Sequence, residues 1–258
     1  MDLTYGGTVR TVSIDRGDGR NAIDDRLVAS LAAELDAAEA DPACRVVVLT
    51  SAPEVFCTGM DLVAAGSAAG PSTGSTAGPA AGASGGGPFF DLLRRFTTVP
   101  RIVACAVDGT VAGGGVGLAA ASDLVYATPR STFTLPEALW GLLPCCVLPF
   151  LARRVGWQPA YAMALTTQPV PAAGAAARNL VDEVAEDPSV PVRRLAFRAG
   201  KFDPDTVGDL KRYGQRLFPV TDDTRRLAVE ELDRLMTRPA VRRRLDGFAR
   251  DGRFPWQG

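Results

Sequence analysis

Apolar and polar residues alternate over residues 8–14, and the spacing then turns helical, with Leu27, Val28, Leu31 and Leu35 on one stripe. The first segment predicts a half-buried strand. The second predicts an amphipathic helix, capped by Asp24 or Asp25 and stopped by Pro42. Residues 45–50, RVVVLT, are a near-continuous β-branched run of the kind found in a strand covered on both faces. A βαβ unit therefore opens the chain. Residues 64–88 contain no charged and no aromatic side chain, too little apolar area to offset the entropy of ordering, and predict a mobile loop that is either a lid or a neutral insertion. Beyond it the pattern predicts a short helix over 89–96, a break at Pro100, a buried strand over 101–107, a helix over 118–121 opened by a glycine turn, and strands over 124–127 and 131–134. From Pro136 the pattern is helical, with apolar stripes over 144–155, 159–166 and 172–179, a last strand over 180–184, and tail helices over 205–217, 222–236 and 240–250. Mixed β and α elements followed by helices alone predict an α/β core over residues 1–188 and a helical C-terminal region over 189–258.

Composition narrows the chemistry by what is missing. Net charge is −1, so no overall field argues for nucleic acid, and the pairs Arg153–Arg154 and Arg193–Arg194 and the run Arg242–Arg244 read either as local anion sites or as solvated helix faces. No apolar run approaches the roughly 20 residues of a membrane span, and the opening residues lack the pattern of a secretory leader, so a cytoplasmic protein is expected. Five scattered cysteines match neither a disulfide framework nor a zinc spacing and predict reduced thiols. Histidine is absent, which removes Ser-His-Asp triads and histidine metal sites together; lysine occurs only at 201 and 211, which disfavours Schiff-base chemistry. Acid–base work falls to carboxylates, Tyr, Lys or Cys.

The candidate chemistry lies between Asp108 and Pro149. Gly113, Gly114 and Gly115 follow directly on a buried strand and leave the main chain uncovered, so that amide N–H groups can approach a ligand oxygen. Glu137, behind Pro136, is a lone acidic side chain in an apolar stretch, placed to exchange a proton beside a carbonyl or simply to start a helix. The run GGGVG at 113–117 is not the GxGxxG of a dinucleotide site. Asp61 reads as the cap of the turn in FCTGMDL, Asp123 as structural, and Tyr126 and Trp157 as core; Trp140 and Cys145 are expected at the pocket, with Cys146 beside them.

These segments resemble the crotonase, or enoyl-CoA hydratase/isomerase, superfamily over nearly the whole chain. RNAIDDRLVASLAAELDAAEADPACRVVVLTS is similar to that family's opening strand, helix and strand, FCTGMDL to its first oxyanion-hole turn, VDGTVAGGGVGLAAASDLVYA to its second, and TLPEALWGLLP to its acidic segment. The resemblance implies an α/β spiral of ββα repeats, a helical C-terminal trimerisation region giving a homotrimer or hexamer, and a thioester carbonyl held between two main-chain N–H groups. By position those donors are Met60 and Gly114, with Glu137 as the catalytic carboxylate and Gly113, Gly115, Gly117, Asp61, Trp140 and Cys145 around the substrate. The bulk of Met60 does not remove a main-chain donor; it narrows the pocket.

The departure from the family pattern carries equal weight. Its hydratases use two glutamates, and the first position is Gly117 here, so Glu137 stands alone and elimination is favoured over hydration. Residues 138–170 and the terminal RFPWQ are further similar to the dehydratases of polyketide β-branching cassettes. That similarity implies conversion of a 3-hydroxy-3-methylglutaryl group on an acyl carrier protein to 3-methylglutaconyl, with no metal or redox cofactor beyond the phosphopantetheine that carries the substrate. A decarboxylase of the same fold, an enoyl-CoA hydratase and a non-catalytic scaffold are the alternatives.

Overall fold

The computed structural model describes residues 7–61 and 85–256. Strand β1 (Val9–Ile14) leads into helix α1 (Asp25–Ala40), whose N-cap is Asp24: its carboxylate accepts the Leu27 N–H at 2.8 Å, satisfying one of the unpaired amides of the first turn. Strands β2 (Val46–Ser51) and β3 (Val55–Cys57) follow, then α2 (Gly86–Phe96), β4 (Ile102–Val107), β5 (Thr110–Ala112), α3 (Gly114–Ala121), β6 (Leu124–Ala127) and β7 (Thr132–Thr134). Three helices, α4 (Glu137–Trp140), α5 (Leu148–Val155) and α6 (Trp157–Thr166), precede β8 (Val170–Pro171), α7 (Ala172–Ala176) and β9 (Glu183–Val184). The C-terminal region is α8 (Ser189–Ala199), α9 (Pro204–Leu217), α10 (Asp222–Met236) and α11 (Pro239–Asp251).

Strands β1-β2-β4-β6-β9 form one parallel sheet and β3-β5-β7-β8 a second, antiparallel only at β7–β8. Each consecutive pair, β2 with β3, β4 with β5 and β6 with β7, sends one strand to each sheet before a helix begins the next pair. The chain thus winds as a spiral of ββα units, as the sequence resemblance implies. The β-branched run of β2 is covered on both faces: Val47 and Leu49 enter the main core, while Val46 and Val48 meet Val192 and Ala199 of α8.

Several boundaries differ from the sequence reading. Residues 86–88, assigned to the loop over 64–88, form the first turn of α2; the loop reading for 64–84 lies outside the described residues. The three-residue strands β3 and β5 and helix α8 are additional, and α3 begins at Gly114 rather than 118. The stripe over 144–155 is helical only from Leu148, that over 172–179 only to Ala176, and the strand over 180–184 shrinks to Glu183–Val184 because the Leu180 and Val181 N–H groups turn back to the Ala175 carbonyl.

The C-terminal helices are tied to the spiral. On α9, the Lys211 ammonium is buried; it donates to the carbonyls of Phe96 (2.7 Å) and Arg101 (2.8 Å) and pairs with Asp123 at 2.7 Å. On α10, Arg225 makes a bidentate contact with Asp91 of α2, and Ala228 and Leu232 join the main core. Among the described residues no helix is long and apolar enough to cross a membrane.

Candidate active site

Three neighbouring parallel strands of the second sheet, β3, β5 and β7, deliver three chain segments to one place. After β3 comes the Gly59–Met60 turn, after β5 the Gly113–Gly114 turn, and after β7 the chain passes Pro136 into α4, whose first residue is Glu137. The two turns pack main chain against main chain. A Cβ on Gly59 would lie 3.0 Å from the Ala112 carbonyl oxygen and 3.2 Å from the Gly114 nitrogen, and Gly59 itself has φ 87°. Gly113 adopts φ 52°, ψ −120°, a conformation essentially reserved to glycine, and a Cβ there would stand 3.2 Å from Glu137 Oε1. No side chain fits between the carboxylate and the two turns.

Both turns present main-chain donors. Ile23 bridges Met60 in parallel fashion, giving its N–H to the Gly59 carbonyl (2.7 Å) and accepting from the Asp61 N–H (3.0 Å), so the Met60 N–H points away from Ile23. Gly114 is the first residue of α3, where an N–H has no partner inside the helix. Among the described residues neither N–H makes a main-chain hydrogen bond. The first turn is held from behind: Asn21, buried and in the left-handed region, donates to the Val55 carbonyl at 3.0 Å, and Arg16 reaches Asp61 at 3.1 Å and Asp24 at 3.2 Å.

Glu137 is half-buried as a residue, but its Oε2 is shielded and has no hydrogen-bond partner among the described residues. Desolvation pushes its carboxyl up from the ordinary 4.5 to about 7, against a small lowering by its own main-chain N–H. A carboxyl titrating near neutrality can both take and return a proton. Cys145 and Cys146 are each pushed up to about 12 by burial, so neither is a thiolate nucleophile at neutral pH.

The cavity around these groups measures about 140 Å³ and is lined by Gly59, Met60, Gly113, Gly114 and Glu137 together with Trp140 and Cys145. That is close to the ~150 Å³ apolar cavity that accommodates benzene, a size for a short acyl group. The structure does not bring the other three expected contacts to the lining. Asp61 is turned to Arg16, a Cβ on Gly115 would meet Cys57 at 2.9 Å, and the space over Gly117 is filled by Val147, Leu93 and Phe89. A side chain at Gly117 would press on Val147 and Leu93 at 3.0 and 3.2 Å, so a second acid there would have to displace this apolar packing. The sequence reading missed the apolar walls Ile23, Val28, Phe89, Val147 and Leu232, and the lining residues Asp24 and Asp25. Among the described lining residues there is no Lys or Arg. The arginine pairs serve the fold instead: Arg154 donates to Ser122 and Leu180 carbonyls, Arg194 pairs with Glu183, and Arg244 donates to the Trp140 carbonyl.

Comparison with known proteins gives a consistent picture. The profile of the enoyl-CoA hydratase/isomerase family matches residues 4–199. The chain is 28% identical over 257 residues to the bacillaene synthase dehydratase PksH of Bacillus subtilis, covering 100% of this chain and 96% of that protein. It is 32% identical over 181 residues to the 1,2-epoxyphenylacetyl-CoA isomerase of Escherichia coli, covering 69% and 67%. Among solved structures, that of pksH from Bacillus subtilis superposes with a TM-score of 0.86 at 27% identity and 98% coverage of both chains. An enoyl-CoA hydratase from Mycobacterium avium gives 0.81 at 29% identity, covering 97% of this chain and 94% of the other.

Proposed function

The chain belongs to the enoyl-CoA hydratase/isomerase, or crotonase, family, and from that premise we propose that it is a dehydratase acting on 3-hydroxy-3-methylglutaryl thioesters carried by an acyl carrier protein. One observation carries the reading: a single shielded carboxylate, Glu137, lies against a glycine turn that lines the same small cavity, and apolar side chains crowd the place of a second acid. Similarity to a polyketide dehydratase along the full chain supports the substrate class.

The thioester carbonyl accepts hydrogen bonds from the Met60 and Gly114 N–H groups. Glu137 removes a proton from C2, and the electron pair moves onto the carbonyl oxygen, where the two donors stabilise the enolate. The enolate then collapses to the C2–C3 double bond as the C3–O bond breaks, and Glu137 returns its proton to the departing hydroxyl. Water leaves, the product is 3-methylglutaconyl thioester, and Glu137 is again a carboxylate. Base and acid are one group, which suits a pKa near 7. The reaction needs no metal or redox cofactor beyond the carrier's phosphopantetheine. Exposed apolar side chains of the C-terminal region, Phe197, Leu210, Tyr213, Leu217 and Phe218, fit a homotrimer or a hexamer.

A second reading rests on the absence of any cation among the described lining residues: the preferred substrate is a neutral, branched 3-hydroxyacyl group. Comparing the 3-hydroxy-3-methylglutaryl thioester with 3-hydroxy-3-methylbutyryl, which lacks the distal carboxylate, separates the two. Faster loss of water from the glutaryl form supports the first reading, and a preference for the butyryl form supports the second. Loss of carbon dioxide, or no change in any acyl thioester, would overturn both.

A further inference from the structure

Glu137 sits on a helix of one turn. Helix α4 is closed by the Leu139 N–H to the Pro136 carbonyl, the Gly141 N–H to the Ala138 carbonyl and the Leu142 N–H to the Glu137 carbonyl, each at 3.0 Å. A single turn is not stable alone, so its orientation has to be imposed by packing. Trp140, at the other end of that turn, is buried and lines the pocket. Behind it stand four residues from the last eighth of the chain. Phe248 meets the Trp140 ring edge-on at 5.3 Å, Trp256 at 5.6 Å and Phe254 at 6.0 Å, while Phe254 stacks on Trp256 at 4.9 Å. Arg244 donates to the Trp140 carbonyl at 3.1 Å, and its guanidinium lies where a Cβ on Gly141 would be, 2.6 Å away. Phe254 and Trp256 of the terminal RFPWQ therefore pack behind the residue at the pocket wall.

We propose that Arg244, Phe248, Phe254 and Trp256 form a clasp on Trp140 that positions the Glu137 carboxylate against the glycine turns. The four are positioning residues; none lines the cavity. The proposal rests on the reading of Glu137 as the proton-transferring group. The charged and titratable groups that share the cavity lining with that carboxylate are the Cys145 and Cys146 thiols, Asp24 and Asp25, and Arg244 stands beyond it on α11; on α6 the one titratable group, Tyr161, is exposed and stacked on Trp157. None of these bonds to Glu137 Oε2, so it is the packing of the wall that keeps the carboxylate dry.

The test compares the full chain, a chain ending at Arg253, Trp256→Ala, Trp256→Phe and Glu137→Gln, with 3-hydroxy-3-methylglutaryl-loaded acyl carrier protein as substrate. A displacement of about 1 Å at a reacting group costs up to about 10²-fold. The shortened chain and Trp256→Ala are expected to lose roughly tenfold or more in kcat, with a smaller change in KM. Their acid limb in the kcat–pH profile should move below that of the full chain, because a loosened carboxylate is better hydrated and ionises at lower pH; Trp256→Phe should restore most of kcat. An inactive Glu137→Gln beside a shortened chain with unchanged kcat and pH profile overturns the clasp and leaves the Glu137 reading standing. A lowered Tm as the only change, or a raised KM at constant kcat, also overturns it. Normal turnover by Glu137→Gln overturns both.

Discussion

Replacing Glu137 by glutamine is expected to remove activity and, at neutral pH and above, to make the protein more stable. Glutamine keeps the shape and cannot ionise. The wild-type carboxyl titrates near 7 in the folded chain against an ordinary 4.5, because burial disfavours its charged form. A raised carboxyl pKa means that the folded state holds its proton more tightly than the unfolded state. Below about pH 4.5 both states are protonated and the group's contribution is fully present; between 4.5 and 7 the unfolded chain ionises first and stability falls as pH rises; above 7 the loss is complete. At about 1.4 kcal/mol per pKa unit, the shift from 4.5 to about 7 corresponds to about 3 kcal/mol. Urea unfolding of wild type and Glu137→Gln at pH 5 and pH 8, at one protein concentration, measures the difference. The variant should gain on the wild type by about 2–3 kcal/mol between those two pH values. Activity supplies the other half: kcat/KM of the wild type should rise through an acid limb near pH 7, and Glu137→Gln should lack that limb and fall by at least about 10²-fold at pH 8. A stability difference independent of pH would refute the claim that this carboxylate is held dry.

Gly113→Ala should cost about 1–3 kcal/mol of stability for its strained φ, and turnover by tenfold or more, since its Cβ would press on the carboxylate 3.2 Å away; a near-wild-type kcat would mean that the turn does not set the site. Met60→Ala keeps the main-chain donor, so turnover of the native substrate should stay within roughly tenfold while bulkier acyl thioesters gain relative to it in a substrate-panel assay. Lys211→Met leaves the Phe96 and Arg101 carbonyls without their buried donor and should destabilise by about 1–3 kcal/mol in urea titration, with kcat of the folded fraction unchanged. Leu210→Asp with Phe218→Asp should shift the mass seen by light scattering from a trimer or larger to monomer; a monomeric wild type would contradict the assembly proposed for these helices.

The sequence made the site's main chain legible and left its walls obscure. Gly113 and Gly114 could be read because three adjacent glycines after a buried strand have few uses, and Glu137 because an acid among apolar neighbours is costly unless it is used. Strands β3 and β5 could not be read: three residues are too few for a period-2 pattern. Helices α2 and α8 begin Gly86-Gly87-Pro88 and Ser189-Val190-Pro191, and proline there reads as a stop although it is tolerated in the first turn of a helix. Phe89 and Leu232 at the pocket depend on tertiary packing between segments far apart in the chain, for which local pattern carries no signal. Gly117 was legible as a missing acid, but the apolar side chains that close its place became visible only in three dimensions.

Intact-mass measurement of an acyl carrier protein loaded with a 3-hydroxy-3-methylglutaryl group, before and after exposure to this protein and to Glu137→Gln, tests the central claim most directly. Loss of one water is expected with the wild-type protein and no change with the variant. Loss of carbon dioxide, or loss of water by both proteins alike, would contradict it.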